Sequence, residues 1–265
     1  MDDARFRVVV GVRPEERVVE EIVDGKPRRH TTAESYIGAA TVFICAAGDI
    51  HGAMERLYDD ILAFEVSLGV RFDHVLQVGD FGIWPDPDRI DRATRNHGGA
   101  GDFAAWLTAN RAVPRPTIFI KGNHEDFVWL DEWSSATPVP GLVYLRNGTY
   151  IDLGDARTGR IRVGGVGGCY GPSDYTRPPD RLQGYAKRHY AAAEIDRLAA
   201  VGGVDIVLTH DAPAGVRFER HRRGAGYVSE AAGLDTLLAR VRPRVCSVII
   251  TLESTRRFRA FAASD

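Results

Sequence analysis

The 265-residue chain is 44% hydrophobic and carries 34 basic against 36 acidic residues, a formal charge of −2. That length can bury one full core, and the balanced charge excludes a protein that holds long nucleic acid chiefly by phosphate contacts. No apolar run approaches the ~20 residues that span a bilayer, and Met1-Asp2-Asp3-Ala4-Arg5 lacks the basic-then-apolar layout of a secretory leader, so the expectation is a cytoplasmic protein with no membrane association.

In chain order, β-branched segments at 6–12 and 17–23 surround Pro14-Glu15-Glu16 and predict an edge hairpin, with Asp24-Gly25-Lys26-Pro27 as a following turn and 28–35 as a polar linker. Residues 41–47 are an apolar run and predict a buried strand. Residues 54–68 place Leu57, Ile61, Leu62 and Phe64 at helical spacing. A second strand is predicted at 73–78. The prolines of Trp84-Pro85-Asp86-Pro87-Asp88 then enforce a long loop, followed by a short helix at 103–110 and a third strand at 117–120. Further on, strands at 142–145, 149–153 and 160–166 are separated by the hairpin signals Asn147-Gly148 and Gly154-Asp155, implying a second, more antiparallel sheet. A helix at 186–200, a strand at 204–208, a helix at 234–241 and a strand at 245–250 complete the pattern. Two sheets flanked by helices are the economical arrangement. The expected division is a hairpin extension and linker at 1–40, one α/β domain at 41–250 and a tail at 251–265.

Chemistry concentrates where strands stop. The first strand ends in Gly48-Asp49-Ile50-His51-Gly52, the second in Gly79-Asp80, the third in Gly122-Asn123-His124-Glu125, and the strand at 204–208 in Thr209-His210-Asp211. Carboxylate, imidazole and amide oxygen are hard to intermediate ligands, suited to manganese first and to iron or zinc as alternatives. Cys45, Cys169 and Cys246 are odd in number and widely spaced, which argues against both a disulfide framework and a thiolate site. Two divalent ions are expected, with Asp80 in the middle of the set as the bridge. His124 beside Asn123 then faces the substrate, where imidazole protonates a leaving oxygen or stabilises phosphoryl charge.

These blocks resemble the signature of the calcineurin-like metallophosphoesterase superfamily: Asp-x-His, Gly-Asp, Gly-Asn-His-Glu/Asp, a lone His and Gly-His-x-His. The resemblance runs from about Val42 to His210. It implies that Asp49 and His51 hold the first metal, that Asp80 bridges, that Asn123 and His210 hold the second, and that His124 is the catalytic histidine. It also implies a four-layer αββα sandwich of two mixed β-sheets flanked by helices. The implied reaction is hydrolysis of a phosphodiester or phosphomonoester, nucleotide or nucleic-acid-derived, by in-line attack of a metal-bound hydroxide, with no obligate protein partner. The wording around Lys121-Gly122-Asn123-His124-Glu125, Arg162-Val163-Gly164-Gly165 and Leu208-Thr209-His210-Asp211-Ala212-Pro213 is similar to RNA lariat debranching enzymes, which act on 2′,5′-phosphodiesters. That group carries cysteine at the first ligand position, where this chain has Asp49.

The pattern is incomplete at its end. No histidine follows His221, so Gly-His-x-His, one further ligand for each metal, is absent. The alternative reading is therefore an inactive metal- or nucleotide-binding remnant. Codons for Val245 to Thr251, read from the third base of each, can spell Phe-Gly-His-His-His, so a frameshift near Arg244 or Val245 would make 254–265 a foreign tail. That requires the codons of Ile249 and Ile250 to end in C.

Other signals read more plainly. Tyr170 occupies the last position that a Gly-x-Gly-x-x-Gly loop needs, which leaves the run at 164–171 as a tight turn. Arg217, Arg220, Arg222 and Arg223 with His221 read as a solvated loop. Trp84, Trp129 and Trp133 read as packing, while His97 lies on a loop that can reach the cleft but is not counted in the site.

Overall fold

The computed structural model describes residues 7–9, 19–23, 26–30, 42–133, 138–154, 160–218, 227–248 and 259–261. The strands in chain order are β1 (Arg7–Val9), β2 (Val19–Val23), β3 (Lys26–His30), β4 (Phe43–Ala47), β5 (His74–Gln77), β6 (Thr117–Phe119) and β7 (Leu142–Tyr144), then β8 (Thr149–Leu153), β9 (Ile161–Val166), β10 (Ile206–Thr209), β11 (Arg217–Phe218), β12 (Tyr227–Val228), β13 (Val245–Val248) and β14 (Arg259–Phe261). The helices are α1 (Met54–Leu68), α2 (Asp102–Thr108), α3 (Phe127–Glu132), α4 (Ala192–Ala199) and α5 (Leu234–Val241).

Two five-stranded sheets form, ordered β1-β4-β5-β6-β7 and β14-β13-β10-β9-β8. Strand alternation explains how they stack, because successive side chains point to opposite faces. Ile44, Leu76, Val78, Ile118 and Ile120 of the first sheet meet Ile161, Val163, Ile206 and Leu208 of the second in one apolar layer. Their neighbours Cys45, Ala47, Val75 and Phe119 face outward against Leu57, Tyr58, Ile61, Phe103 and Trp106 of α1 and α2. Val166 and Val207 face the other way, against Ile195 and Leu198 of α4 and Leu234 and Leu237 of α5. Three apolar layers between four structural layers make an αββα sandwich. Trp133 belongs to the α1–α2 layer and Trp129 packs against it, as a packing role requires.

Several expectations change in detail. The first sheet is parallel across all its described strand pairs, not mixed, whereas the second combines parallel β9-β10-β13 with antiparallel β8 and β14. Among the described residues of 6–12 and 17–23, β1 and β2 do not pair with each other. β1 lies parallel to β4 at the sheet edge, and the antiparallel pair is β2–β3, whose register of Ile22 with Pro27 and Val23 with Lys26 puts Lys26 and Pro27 in a strand instead of a turn; Asp24 and Gly25 lie outside the described residues. Asn147-Gly148 is not a hairpin turn either: β7 pairs with β6, β8 pairs with β9, and the chain changes sheets between them. Asn147 decides this. Its amide donates to the Gly167 carbonyl at 2.9 Å and accepts from the Gly167 N–H at 2.6 Å, tying the crossing to the end of β9.

The helix expected at 186–200 starts later, at Ala192. His189 is held back by a bridge to Cys169 and by its ring contact with Asp174, and the Ala191 N–H donates to Glu194 at 2.9 Å where the helix begins. Arg217 enters the short β11–β12 ladder, whereas Arg220, His221, Arg222 and Arg223 lie outside the described residues. The strand expected at 245–250 is β13, parallel to β10; residues 249–258, which include Ile249, Ile250 and Thr251 of the frame-shifted reading, also lie outside the described set. No described helix is long and apolar enough to cross a membrane.

Candidate metal centre

β4, β5 and β6 run parallel, so their C-terminal ends open on the same side of the sheet, where ligand loops of such sheets gather. The loops after β4 and β5 stay zipped beyond the strands: Asp49 N–H donates to Gly79 O at 3.1 Å, His51 N–H to Asp80 O at 2.9 Å, and Gly52 N–H to Phe81 O at 2.7 Å. Asp49, His51 and Asp80 all adopt left-handed backbone, with φ of 49°, 46° and 51°. Such conformations cost on the order of 1–3 kcal/mol at a non-glycine residue and collect at functional sites.

Two glycines make the close approach possible. A Cβ on Gly79, whose φ is +100°, would sit 2.4 Å from His210 Nδ1, and one on Gly122 would sit 2.0 Å from Asp80 Oδ1. The buried Gln77 staples the turn before Asp80, donating to Gly79 O at 2.6 Å and accepting from its N–H at 3.0 Å. Glu125 holds the segment after Asp80, accepting from Phe81 N–H at 2.8 Å, Gly82 N–H at 3.0 Å and Ile83 N–H at 2.6 Å. Burial and the nearby Asp80 push the Glu125 carboxyl up to about 8, against the pull of these donors.

Asp80 occupies the centre. It is 3% exposed, and its Oδ1 accepts from Asn123 N–H at 2.7 Å and His124 N–H at 2.9 Å. Its Oδ2 lies 3.6 Å from His51 Nε2, while its Oδ1 lies 3.7 Å from His210 Nε2. Oxygen or nitrogen atoms of Asp49, Asp80 and His210 all fall within 4.8 Å of one another, a group that could hold a metal ion. Asn123 Oδ1 is 2.9 Å from His210 Nε2. His210 Nδ1 is 2.9 Å from the Val78 carbonyl, which can only accept, so Nδ1 is the donor and Nε2 faces the cluster.

The electrostatics fit a cation. Burial drives the His51 imidazole down to about 4 despite Asp80, so it is neutral and keeps a lone pair. Burial also disfavours charge on His210, yet Asp80 and Asp49 outweigh it and raise its pKa, the response of a base to negative potential. His51 Nδ1 is buried without a hydrogen bond among the described residues. Buried thiols do not compete: burial raises Cys45 and Cys246 to about 12 and Cys169 to about 11. The donor set is thus carboxylate, imidazole and amide oxygen, which suits a hard or intermediate divalent ion.

All six residues singled out in the sequence, Asp49, His51, Asp80, Asn123, His124 and His210, belong to these strand-end segments, and the contacts above draw them around Asp80. Sequence reasoning missed Asp91. Its Oδ2 lies 2.7 Å from His124 Nδ1, and its Oδ1 accepts the Thr94 N–H at 2.8 Å. Burial opposes ionisation of Asp91, but the Thr94 and His124 hydrogen bonds prevail and lower its pKa. Asp91 precedes His124 by 33 residues on an aperiodic loop, where no local pattern marks it. A separate cavity of about 240 Å³, lined by Lys121, Tyr144, Arg146 and Lys187 among others, includes none of the six.

Two facing sheets, helices on both outer surfaces and a carboxylate–imidazole cluster where parallel strands end define the class, a metal-dependent phosphoesterase fold. The calcineurin-like phosphoesterase profile matches residues 44–249, and the chain belongs to that family. Within it, the chain is 28% identical over 183 residues to the lariat debranching enzyme of Drosophila melanogaster, covering 65% of this chain and 33% of that protein. It is 29% identical over 189 residues to the Schizosaccharomyces pombe lariat debranching enzyme (66% and 37%), and 25% identical over 213 residues to that of Entamoeba histolytica (75% and 59%). The matched region thus spans between about a third and three fifths of these relatives.

Proposed function

We propose that the chain hydrolyses a phosphate ester, a phosphodiester of nucleotide or nucleic-acid origin before a simple monoester, at the cluster around Asp80. The observation that carries the reading is the His124–Asp91 contact of 2.7 Å placed beside the Asp80 group. Asp49, His51 and Asp80 hold one divalent ion, and Asp80, Asn123 and His210 hold a second, with Mn(II) favoured by the oxygen-rich set. When bound, such ions polarise a phosphoryl oxygen and lower the pKa of water. Asp91 accepts a hydrogen bond from His124 Nδ1–H, which fixes the ring and leaves Nε2 to pass a proton to the departing oxygen. Gln77 and Glu125 keep the Asp80 turn rigid, so little reorganisation accompanies the reaction.

The experiment is turnover of an aryl phosphodiester and an aryl phosphomonoester by Mn(II)-loaded protein, beside Asp80→Asn and His124→Ala. A loss of ~10²–10⁴-fold in His124→Ala is expected for a lost proton-transfer group. Wild-type turnover that neither substitution changes would sink the proposal. A branched RNA with a 2′,5′ linkage belongs in the same assay, because the relatives are lariat debranching enzymes. The second reading, an inactive binding remnant, is favoured by one observation, the absence of any histidine after His221. It predicts metal binding weakened by the missing ligands and no turnover of any of the three substrates.

A further inference from the structure

The two buried imidazoles of the cluster are held in different ways. His210 is fixed through its far nitrogen, since Nδ1 donates to the Val78 carbonyl at 2.9 Å. His51 has no such tether: it is 7% exposed, its Nε2 faces Asp80, and its Nδ1 has no hydrogen-bond partner among the described residues. A histidine ligand whose second nitrogen is unattached can turn about χ2, and ligand orientation normally comes from a hydrogen bond at that nitrogen. Something else must set the plane of this ring.

Two rings lie near it: His124 is tilted by 53° with its centroid 5.5 Å away, and His97 lies flat against it. The His51 and His97 imidazoles stack with centroids 4.1 Å apart and planes inclined by only 13°. His97 itself is exposed, and the loop carrying it is pinned on both sides. On one side Arg95 donates to Ile90 O and Asp88 O, both at 2.7 Å, and the buried Thr94 N–H donates to Asp91. On the other, Gly99 packs so closely on Ala53 that an added Cβ would lie 2.7 Å from its Cα. The loop that orients His124 through Asp91 therefore also lays a flat ring on His51.

We infer that His97 is a positioning residue for the metal centre, fixing the plane of His51 by stacking as the Val78 carbonyl fixes that of His210. This inference rests on the metal assignment proposed above. It requires a flat ring at position 97 and does not require a nitrogen there, which separates it from a role as an additional ligand.

The test is titration of the metal-free 265-residue chain with Mn(II), followed by loss of the free-ion EPR signal, for wild type, His97→Ala and His97→Phe. His51→Ala and His210→Ala identify the two binding steps. His97→Ala is expected to weaken the step assigned to His51 by ~10–100-fold, the usual cost of losing an orienting partner. It should leave the His210 step and the metal-free thermal midpoint unchanged, and His97→Phe should restore binding. A His97→Ala isotherm that overlies wild type would overturn the inference, as would His97→Phe binding as weakly as His97→Ala. Wild type that takes up no Mn(II) would instead overturn the metal assignment, and the positioning role with it.

Discussion

His124 and Asp91 show what a single side chain contributes beyond its own chemistry. Because the Asp91 carboxylate accepts at Nδ1, removing its charge should leave His124 in place but loosen its orientation. Asp91→Asn is expected to slow cleavage of an alkyl phosphodiester more than that of a p-nitrophenyl ester, whose leaving group needs little protonation. Equal losses on both substrates would contradict proton donation through His124. Gly122→Ala probes packing at the same scale. Its Cβ would meet Asp80 Oδ1 at 2.0 Å, inside van der Waals contact, and displace the central carboxylate. Loss of Mn(II) binding is the expected outcome, read by calorimetry, with the fold retained by circular dichroism. The six strand-end residues were legible because each lies in a short motif behind an apolar run. Asp91 was not, since loop geometry alone brings it to the cluster, and for His97 only the reach of its loop was legible, not its stacking on His51.

At the scale of elements, α1 is locked to the β6 entrance by Glu65, which accepts from Arg115 Nε at 2.6 Å and from Phe72 N–H at 2.7 Å. Burial opposes the charge on Glu65, but the Arg115 and Phe72 hydrogen bonds outweigh it and depress its pKa. A depressed carboxylate pKa adds stability that is present above its unfolded value and disappears as pH falls through the folded one. Glu65→Gln should therefore cost about 1–3 kcal/mol near neutral pH, and the gap to wild type should close below about pH 4. Urea midpoints of both proteins from pH 7 to pH 3 check this; a gap that widened on acidification would contradict it. Element types and order were largely readable from periodicity, and sheet membership was not. Asn147-Gly148 has hairpin chemistry, but the amide of Asn147 bonds to the Gly167 backbone and to Glu194, and the chain passes from one sheet to the other there.

For the whole molecule, the layered architecture and the metal chemistry are one design. Parallel strands β4, β5 and β6 deliver their loops to one edge, β10 of the facing sheet delivers His210 to the same place, and the apolar layer between the sheets sets that register. Strand alternation made two buried sheet faces legible, and the family resemblance supplied the four-layer stacking. The sequence alone could not reveal how tightly the turns interlock, because that depends on contacts such as Gly122 against Asp80 and Gly79 against His210. On the proposed assignment these turns enclose divalent ions on both sides of Asp80. The decisive measurement is an anomalous-difference map from Mn(II)-soaked crystals. Peaks are expected on both flanks of the Asp80 carboxylate, one beside Asp49 and His51 and one beside Asn123 and His210; a map with no peak within reach of Asp80 would contradict the assignment.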